Sequence, residues 1–328
     1  GKTISNLLGY VATVSDFEKK KSNNSLLSHP DFKIGKIGLE QLYEHKLRGK
    51  AGISHIEVDA HGYVKRTTLP ELSQKMIEGE NINISIDIKL QEYVVNLTKD
   101  LRSSVVLIEV ETGKVIAMTS TPSFDSNKFL SGIDTKTWNN LIHNPAKPLI
   151  NKAVTAKYPP GSTFKIAVAL AALSNGYNPN KKFNCTGKVR LGKRWFHCWK
   201  KKGHGVVSMR TAIKKSCDIY FYEVSRRLGI DRLAATARKF GLGKKVLQDY
   251  NEEKAGVVPN TKWKIRELGK NWYIGETLHS GIGQGYFLTT PLQLSLMTAQ
   301  IANGGFKIQP RILIKENDKI SNLQKYLN

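Results

Sequence analysis

The apolar positions along the chain change period twice. "NINISIDIKLQEYVVNL" begins with strict alternation and passes into a 3.6-residue stripe, which predicts a strand running into an amphipathic helix with Asp87 as its cap. "SSVVLIEVETGKVIAMTSTPSFD" holds two apolar runs joined at Glu111-Thr112-Gly113, which predicts a β-hairpin able to lie at the centre of a sheet. Helical patterns follow over 162–174, 208–228, 231–240 and 290–303. Upstream, the alternation in "HIEVDAHGYVKR" predicts a hairpin turning at His61-Gly62, set among short polar segments. A hairpin first and helices later implies an α+β class rather than a doubly wound sheet. The change in character near residue 80 divides the chain into a smaller, mostly β N-terminal region over 1–80 and a larger region over 81–328.

A chain of 328 residues with 40% hydrophobic content can bury a full core and is not a disordered segment. Lys and Arg number 51 against 27 Asp and Glu, a net charge of +24 that draws the protein toward polyanions without choosing among them. No run approaches the ~18 consecutive apolar residues a membrane span requires. The first residues, "GKTISNLLGYVATV", lack a charged leader and a cleavage site.

The chemistry gathers around "YPPGSTFKIAVALAALSNG". Pro159 and Pro160 cannot be helix interior, Gly161 allows a sharp turn, and the helix that follows ends at Asn175-Gly176. Ser162 is therefore expected at a helix N-terminus, where free amides and the dipole favour a developing oxyanion. Lys165, one turn on, shares its face. The wholly apolar helix behind it gives a partly dry setting in which a lysine gives up its proton more easily and serves as a base for serine. S-x-x-K alone is weak, since serine is a favoured cap and lysine is common on helices. "AIKKSCDIYFYEVSRRLGI" adds Ser216 and Asp218, a hydroxyl and a carboxylate two residues apart before an apolar and aromatic stripe. Ser-x-x-Lys followed some distance on by Ser-x-Asn or Ser-x-Asp is the pattern of serine acyltransferases that react with penicillins.

Cys185, Cys198, His204 and Cys217 stand in the order C-x12-C-x5-H-x12-C and use every cysteine of the chain. Three thiolates and one imidazole make a closed tetrahedral zinc set. Two other readings stay open, small buried cysteines and a Cys185–Cys198 disulfide. The stretch around them, "KKFNCTGKVRLGKRWFHCWKKK", holds nine Lys or Arg and no acid, interleaved with Trp195, Phe196 and Trp199. Alone it would suit a zinc-stabilised nucleic-acid platform, but that reading leaves Ser162, Lys165, Ser216 and Asp218 without purpose. "GKVRLGKR" has a phosphate-loop skeleton, but Arg194 replaces the Ser or Thr and neither flanking element is present. "GIGQG" at 281–285 reads as a tight turn packed near the serine helix.

With these residues in place, "NKAVTAKYPPGSTFKIAVALAALSNG", "KKSCDIYFYEVSRRLGIDRLAATARKFGLG", "SGIGQGYFLTTPLQLSLMTAQIANGG" and "EVETGKVIAMTSTPSFDSNKF" resemble class B penicillin-binding proteins, most of all the elongation-type penicillin-binding protein 2 branch. "IGKIGLEQLYEHKLRGKAGISHIEVDAHGYVKR" resembles that family's N-terminal pedestal, a dimerisation-like module. The resemblance implies a penicillin-binding transpeptidase fold with a central antiparallel sheet and a buried active-site helix. It implies a serine D,D-transpeptidase that cross-links peptidoglycan stem peptides, is blocked by β-lactams and serves cell elongation and rod shape. Carried over by motif, Ser162 is the nucleophile and one oxyanion donor through its amide, Lys165 the base and Ser216 a proton relay. Asp218 fills the third place of the second motif, where many relatives have Asn.

The resemblance further implies a structural zinc on Cys185, Cys198, His204 and Cys217. It also implies partners in the cell-elongation complex, a RodA-type glycosyltransferase and an MreC-type scaffold, met through the N-terminal region. The expected location is the periplasmic face of the bacterial inner membrane, with a single N-terminal anchor outside these residues. The family's third motif, Lys-Thr/Ser-Gly, should follow "GGFKIQPRILI" and does not occur before Asn328. Its substrate-binding wall is therefore expected outside the given sequence, and a non-catalytic cell-wall scaffold is the alternative that absence leaves open.

Overall fold

The computed structural model describes residues 1–20, 25–68, 73–247 and 250–314. Residues 315–328, part of the stretch in which the third motif was sought, lie outside the described residues.

Helices and short strands alternate irregularly, as the α+β expectation requires. Strands Ser103–Ile108 and Val115–Thr121 pair antiparallel with Ser103 opposite Thr121. The turn between them contains Gly113 at φ 78°, and an added Cβ there would lie 2.3 Å from the Gln309 carbonyl oxygen. The hairpin's edge is extended by single bridges, Lys114 with Arg311 and Ile84 with Leu313. Asp87 caps the helix Ile88–Thr98 by accepting from the Leu90 amide. In the N-terminal region His55–Val58 pairs with Val64–Thr68, and Asp59 Oδ1 accepts from the His61 and Tyr63 amides to close the turn.

Two apolar clusters hold the larger region. One gathers the hairpin residues Val115 and Met118 with Leu292, Leu296 and Ala299 of the helix Pro291–Ala302, and it also takes in Leu7 and Leu39. Leu7 and Leu39 of the N-terminal region therefore share a core with the larger region. The other surrounds the helix Lys165–Leu173, whose Ala167, Val168, Ala171 and Ala172 are buried. Small residues on that helix let Asp218–Leu228 and Ile230–Lys239 approach closely and bury Tyr220, Phe221 and Leu233 against it. Burial of each large apolar side chain contributes about 1.5–3 kcal/mol, so the helix carrying Lys165 is fixed from several sides.

Two helices differ from the sequence expectation, both at chemistry-bearing residues. The expected helix over 162–174 begins as a 3-10 turn, Gly161–Phe164, and becomes α-helical only at Lys165. The expected helix over 208–228 is two helices, Met209–Lys214 and Asp218–Leu228, broken at Ser216, whose φ is +48°. A serine in that region is unfavourable by itself and persists only where its surroundings over-determine it.

Candidate active site

Ser162 stands exposed on the 3-10 turn. Gly161 at φ 60° provides the reversal after the two prolines, and its amide donates to the Gly283 carbonyl at 2.8 Å. Tyr158 and Thr289 exchange backbone hydrogen bonds just outside it. Phe164, fully buried, packs against Phe287 with ring centroids 4.5 Å apart. The "GIGQG" turn therefore sits directly on the serine turn, as its sequence suggested. The Ser162 amide lies at the start of its turn, where a backbone N–H has no carbonyl of that turn to bond back to.

The break at Ser216 brings the second pair of residues to the first. Lys165 is buried, and its Nζ donates to Ser216 Oγ at 3.0 Å, to the Ser216 carbonyl at 2.9 Å and to Asp218 Oδ1 at 2.6 Å. Ser216 Oγ in turn donates to Ser162 Oγ at 3.0 Å. The sequence placed Lys165 in a partly dry setting; the structure buries it and pairs its ammonium with the Asp218 carboxylate. The connection from lysine to nucleophile runs through Ser216. All four residues expected at the reaction centre meet there.

Asp218 is held by a residue that sequence reasoning assigned to a base-stacking decoy. The Trp199 amide donates to Asp218 Oδ2 at 2.9 Å, and the Trp199 indole donates to the Lys215 and Ser216 carbonyls at 3.2 and 3.1 Å. Trp199 thus fixes both the carboxylate and the strained peptide at Ser216. His197, Tyr222, Ile282 and Gln284 complete the lining of the cleft at Ser162, and none of them was singled out from the sequence. Gln284 lies within the glycine-rich turn, which was the one available signal for it.

Trp199 is positioned by a small β module. Phe183–Cys185 pairs with Gly205–Val207, and Lys188–Leu191 pairs with Arg194–His197. The phosphate-loop-like "GKVRLGKR" is this second hairpin, with no helix after it. At the base of the module Cys185, Cys198, His204 and Cys217 bring their ligand atoms within 4.8 Å of one another, and the three cysteines are free thiols rather than a disulfide. His204 Nδ1 lies 3.6 Å from Cys185 Sγ and 3.5 Å from Cys198 Sγ. Bond lengths of about 2.0 Å to nitrogen and 2.3 Å to sulfur put the nitrogen–sulfur edge of a tetrahedral zinc site at about 3.5 Å, so this donor set fits that ion. Burial pushes the Cys217 thiol up to about 12, with Cys185 and Cys198 adding to it. Burial, followed by Lys200 and Lys215, depresses the His204 imidazole and favours its neutral, ligating form. Three packed thiols in an apolar setting are therefore a set of donors that a cation would stabilise.

No helix among the described residues is long and apolar enough to cross a membrane.

Comparison with known proteins adds the following. A family model described as the penicillin binding protein transpeptidase domain matches residues 103–326, and one described as the penicillin-binding protein dimerisation domain matches residues 1–84. The peptidoglycan D,D-transpeptidase MrdA of Salmonella typhimurium is 38% identical over 322 residues, which cover 96% of this chain and 51% of the relative. Among solved structures, Pseudomonas aeruginosa PBP2 in complex with WCK 5153 is 38% identical with a TM-score of 0.84, covering 95% of this chain and 65% of that one. The PBP2 of Helicobacter pylori in complex with MreC is 31% identical with a TM-score of 0.86, covering 100% of this chain and 60% of that one. The chain spans about half the length of the curated relatives it matches.

Proposed function

The chain belongs to the penicillin-binding protein transpeptidase family, and from that premise we propose that it carries the acyl-transfer centre of a peptidoglycan D,D-transpeptidase, with Ser162 as the nucleophile. The observation that carries this reading is the unbroken line of hydrogen-bonding groups from Lys165 through Ser216 to Ser162, each step 3.0 Å.

In the resting arrangement protons point along that line from Lys165 toward Ser162. Attack on a D-Ala-D-Ala carbonyl needs the reverse direction. One ammonium proton of Lys165 passes to Asp218 Oδ1, 2.6 Å away, and leaves a neutral amine. Ser162 then gives its proton to Ser216 Oγ as Ser216 gives its own to Lys165 Nζ, while Ser162 Oγ bonds to the carbonyl carbon. The carbonyl oxygen takes up negative charge near the Ser162 amide. Collapse expels D-alanine, whose nitrogen receives a proton back through Ser216, and leaves an acyl-enzyme. An amine of a second stem peptide attacks that ester, loses its proton along the same line and frees Ser162. A β-lactam follows the first half of this path, its ring amide opening onto Ser162.

Cys185, Cys198, His204 and Cys217 would hold a structural zinc. Such an ion holds three thiolates and one imidazole in fixed positions and supplies no open coordination place for a substrate. Its contribution is to fix the segment that carries Trp199, and Cys217 lies between Ser216 and Asp218 in the chain. The reaction belongs at the periplasmic face of the inner membrane, where the cross-linked polymer lies. The region matched by the dimerisation-domain model, 1–84, is the part that would dock an MreC-type scaffold and a RodA-type glycosyltransferase; an MreC partner is supported by the complex that the Helicobacter pylori relative forms with MreC.

The test is covalent labelling with a fluorescent penicillin. The expected result is one label per chain at Ser162, absent in Ser162→Ala while the variant keeps its thermal stability. The Ser162 side chain is exposed and caps nothing, so its loss should change stability by no more than about 0.5 kcal/mol. Labelling that persists in Ser162→Ala would overturn the assignment.

A further inference from the structure

The cleft at Ser162 has a second arm. His197, Tyr222 and Gln284 line both, and beyond them the arm is bounded by Arg194, Trp195 and His279. Its floor is packed rather than accidental. Phe196 is buried beneath it, with its ring centroid 5.7 Å from that of Tyr222 and 5.1 Å from that of His279. The hairpin lies against the helix Ile274–Ser280, where Gly275 comes close to the Phe196 ring.

The charge of the arm has one sign. No acidic side chain lines it, and Arg194 is exposed and has no ion-pair partner among the described residues. Lys188 Nζ and the Arg190 guanidinium stand 4.7 and 5.8 Å from the centroid of Trp195, so that indole already carries two cations of its own hairpin. The carboxylate at the junction, Asp218, has its oxygens already engaged by Lys165 and by the Trp199 amide. An exposed guanidinium without a carboxylate, in a cleft continuous with the nucleophile, is complementary to an acidic peptide side chain.

We propose that this arm is a subsite for a carboxylate-bearing residue of the peptide whose carbonyl reaches Ser162, with Arg194 binding the carboxylate. The proposal rests on the acyl-transfer reading for the identity of the peptide. It makes Arg194 a specificity-determining residue that leaves the proton line untouched.

The experiment measures equilibrium binding by fluorescence anisotropy to the full chain carrying Ser162→Ala, so that no acylation is needed. Two labelled peptides ending in D-Ala-D-Ala are compared, one with a glutamate before the pair and one with a glutamine. The glutamate peptide should bind about tenfold more tightly, the size of one charge-assisted hydrogen bond. Arg194→Ala should abolish the difference and Arg194→Glu should invert it, while the exposed Lys239→Ala leaves it intact and so separates a local carboxylate site from the general pull of +24. Equal binding of the two peptides, or a preference that survives Arg194→Ala, would overturn the subsite. Penicillin labelling of the unaltered chain reads the acyl-transfer proposal separately: labelling without peptide discrimination defeats the subsite alone, and discrimination without labelling defeats the acyl-transfer reading alone.

Discussion

The ammonium of Lys165 and the carboxylate of Asp218 lie 2.6 Å apart with both residues buried. Removal of one member of such a pair leaves the other charge uncompensated in a poorly solvated place. Asp218→Ala also strands the Trp199 amide that its second oxygen accepts. The expected loss of stability is about 3–5 kcal/mol, read as a lower urea midpoint with an unchanged slope. Asp218→Asn should cost less, because its single amide oxygen still serves one of the two donors while its NH2 faces the other. Midpoints within experimental error of the unaltered chain for both variants would contradict the pairing.

Gly283 and Gly161 form the contact that sets the height of the serine turn. A Cβ on Gly283 would lie 2.2 Å from the Gly161 carbonyl oxygen, and its φ of +70° disfavours any L side chain. Gly283→Ala must push the two turns apart and carry Ser162 with one of them. Penicillin labelling should slow about tenfold or more, since a displacement near 1 Å and the backbone strain each act on that scale. Gly132→Ala is the control: its φ is +90° but a Cβ there would meet nothing within 4 Å, so labelling should keep its rate.

Much of this arrangement could be read from local sequence because local physics produces it. The cap at Asp87, the hairpin around Gly113 and the Thr290-capped helix Pro291–Ala302 each depend on residues a few positions apart. Ser162, Lys165, Ser216 and Asp218 were legible through spacing and residue type. The left-handed turn at Ser216 was not: Ser216 and Asp218 are residue types that favour the start of a helix, but nothing local in "AIKKSCDIYFYEV" demands a positive φ at the serine. What holds the kink is distant: Lys165, 51 residues away, and Trp199, 17 away, both donate to the Ser216 carbonyl. Trp199 was misread for the same reason, because composition showed an aromatic among cations while its hydrogen bonds depend on the β module folding back.

The four-ligand cluster predicts about one zinc per chain in purified protein, measured by elemental analysis. Cys217→Ser should lose most of the metal. Chelation under native conditions should lower the thermal midpoint and slow penicillin labelling together, because Cys217 sits between Ser216 and Asp218, while Trp199 directly follows Cys198. Protons must leave the thiols as the metal binds, so affinity should rise with pH, and the burial that pushes Cys217 up carries that rise to higher pH. A metal-free chain whose stability and labelling ignore chelators would end the zinc proposal.

Glu253 gives a pH signature away from the reaction centre. Its side chain is fully buried, and its oxygens accept from the Val246 and Leu247 amides at 2.7 and 2.9 Å. Burial raises its carboxyl above the ordinary 4.5, against the opposing pull of those two amides and of Lys245. The folded chain therefore holds this proton more tightly than the unfolded chain does. Its stabilising contribution is complete below pH 4.5 and is lost as pH rises through the raised folded value. Glu252 titrates in the same direction, so the two must be separated. Thermal midpoints of the unaltered chain and of Glu253→Gln, taken from pH 4 to pH 8, provide the separation. The unaltered chain's midpoint relative to the variant's should be highest near pH 4 and decline toward neutrality, because only the glutamate gains a buried charge on the way. A difference that grows in favour of the glutamate as pH rises would mean that the two amides outweigh burial and that this carboxylate is an anion site built into the fold.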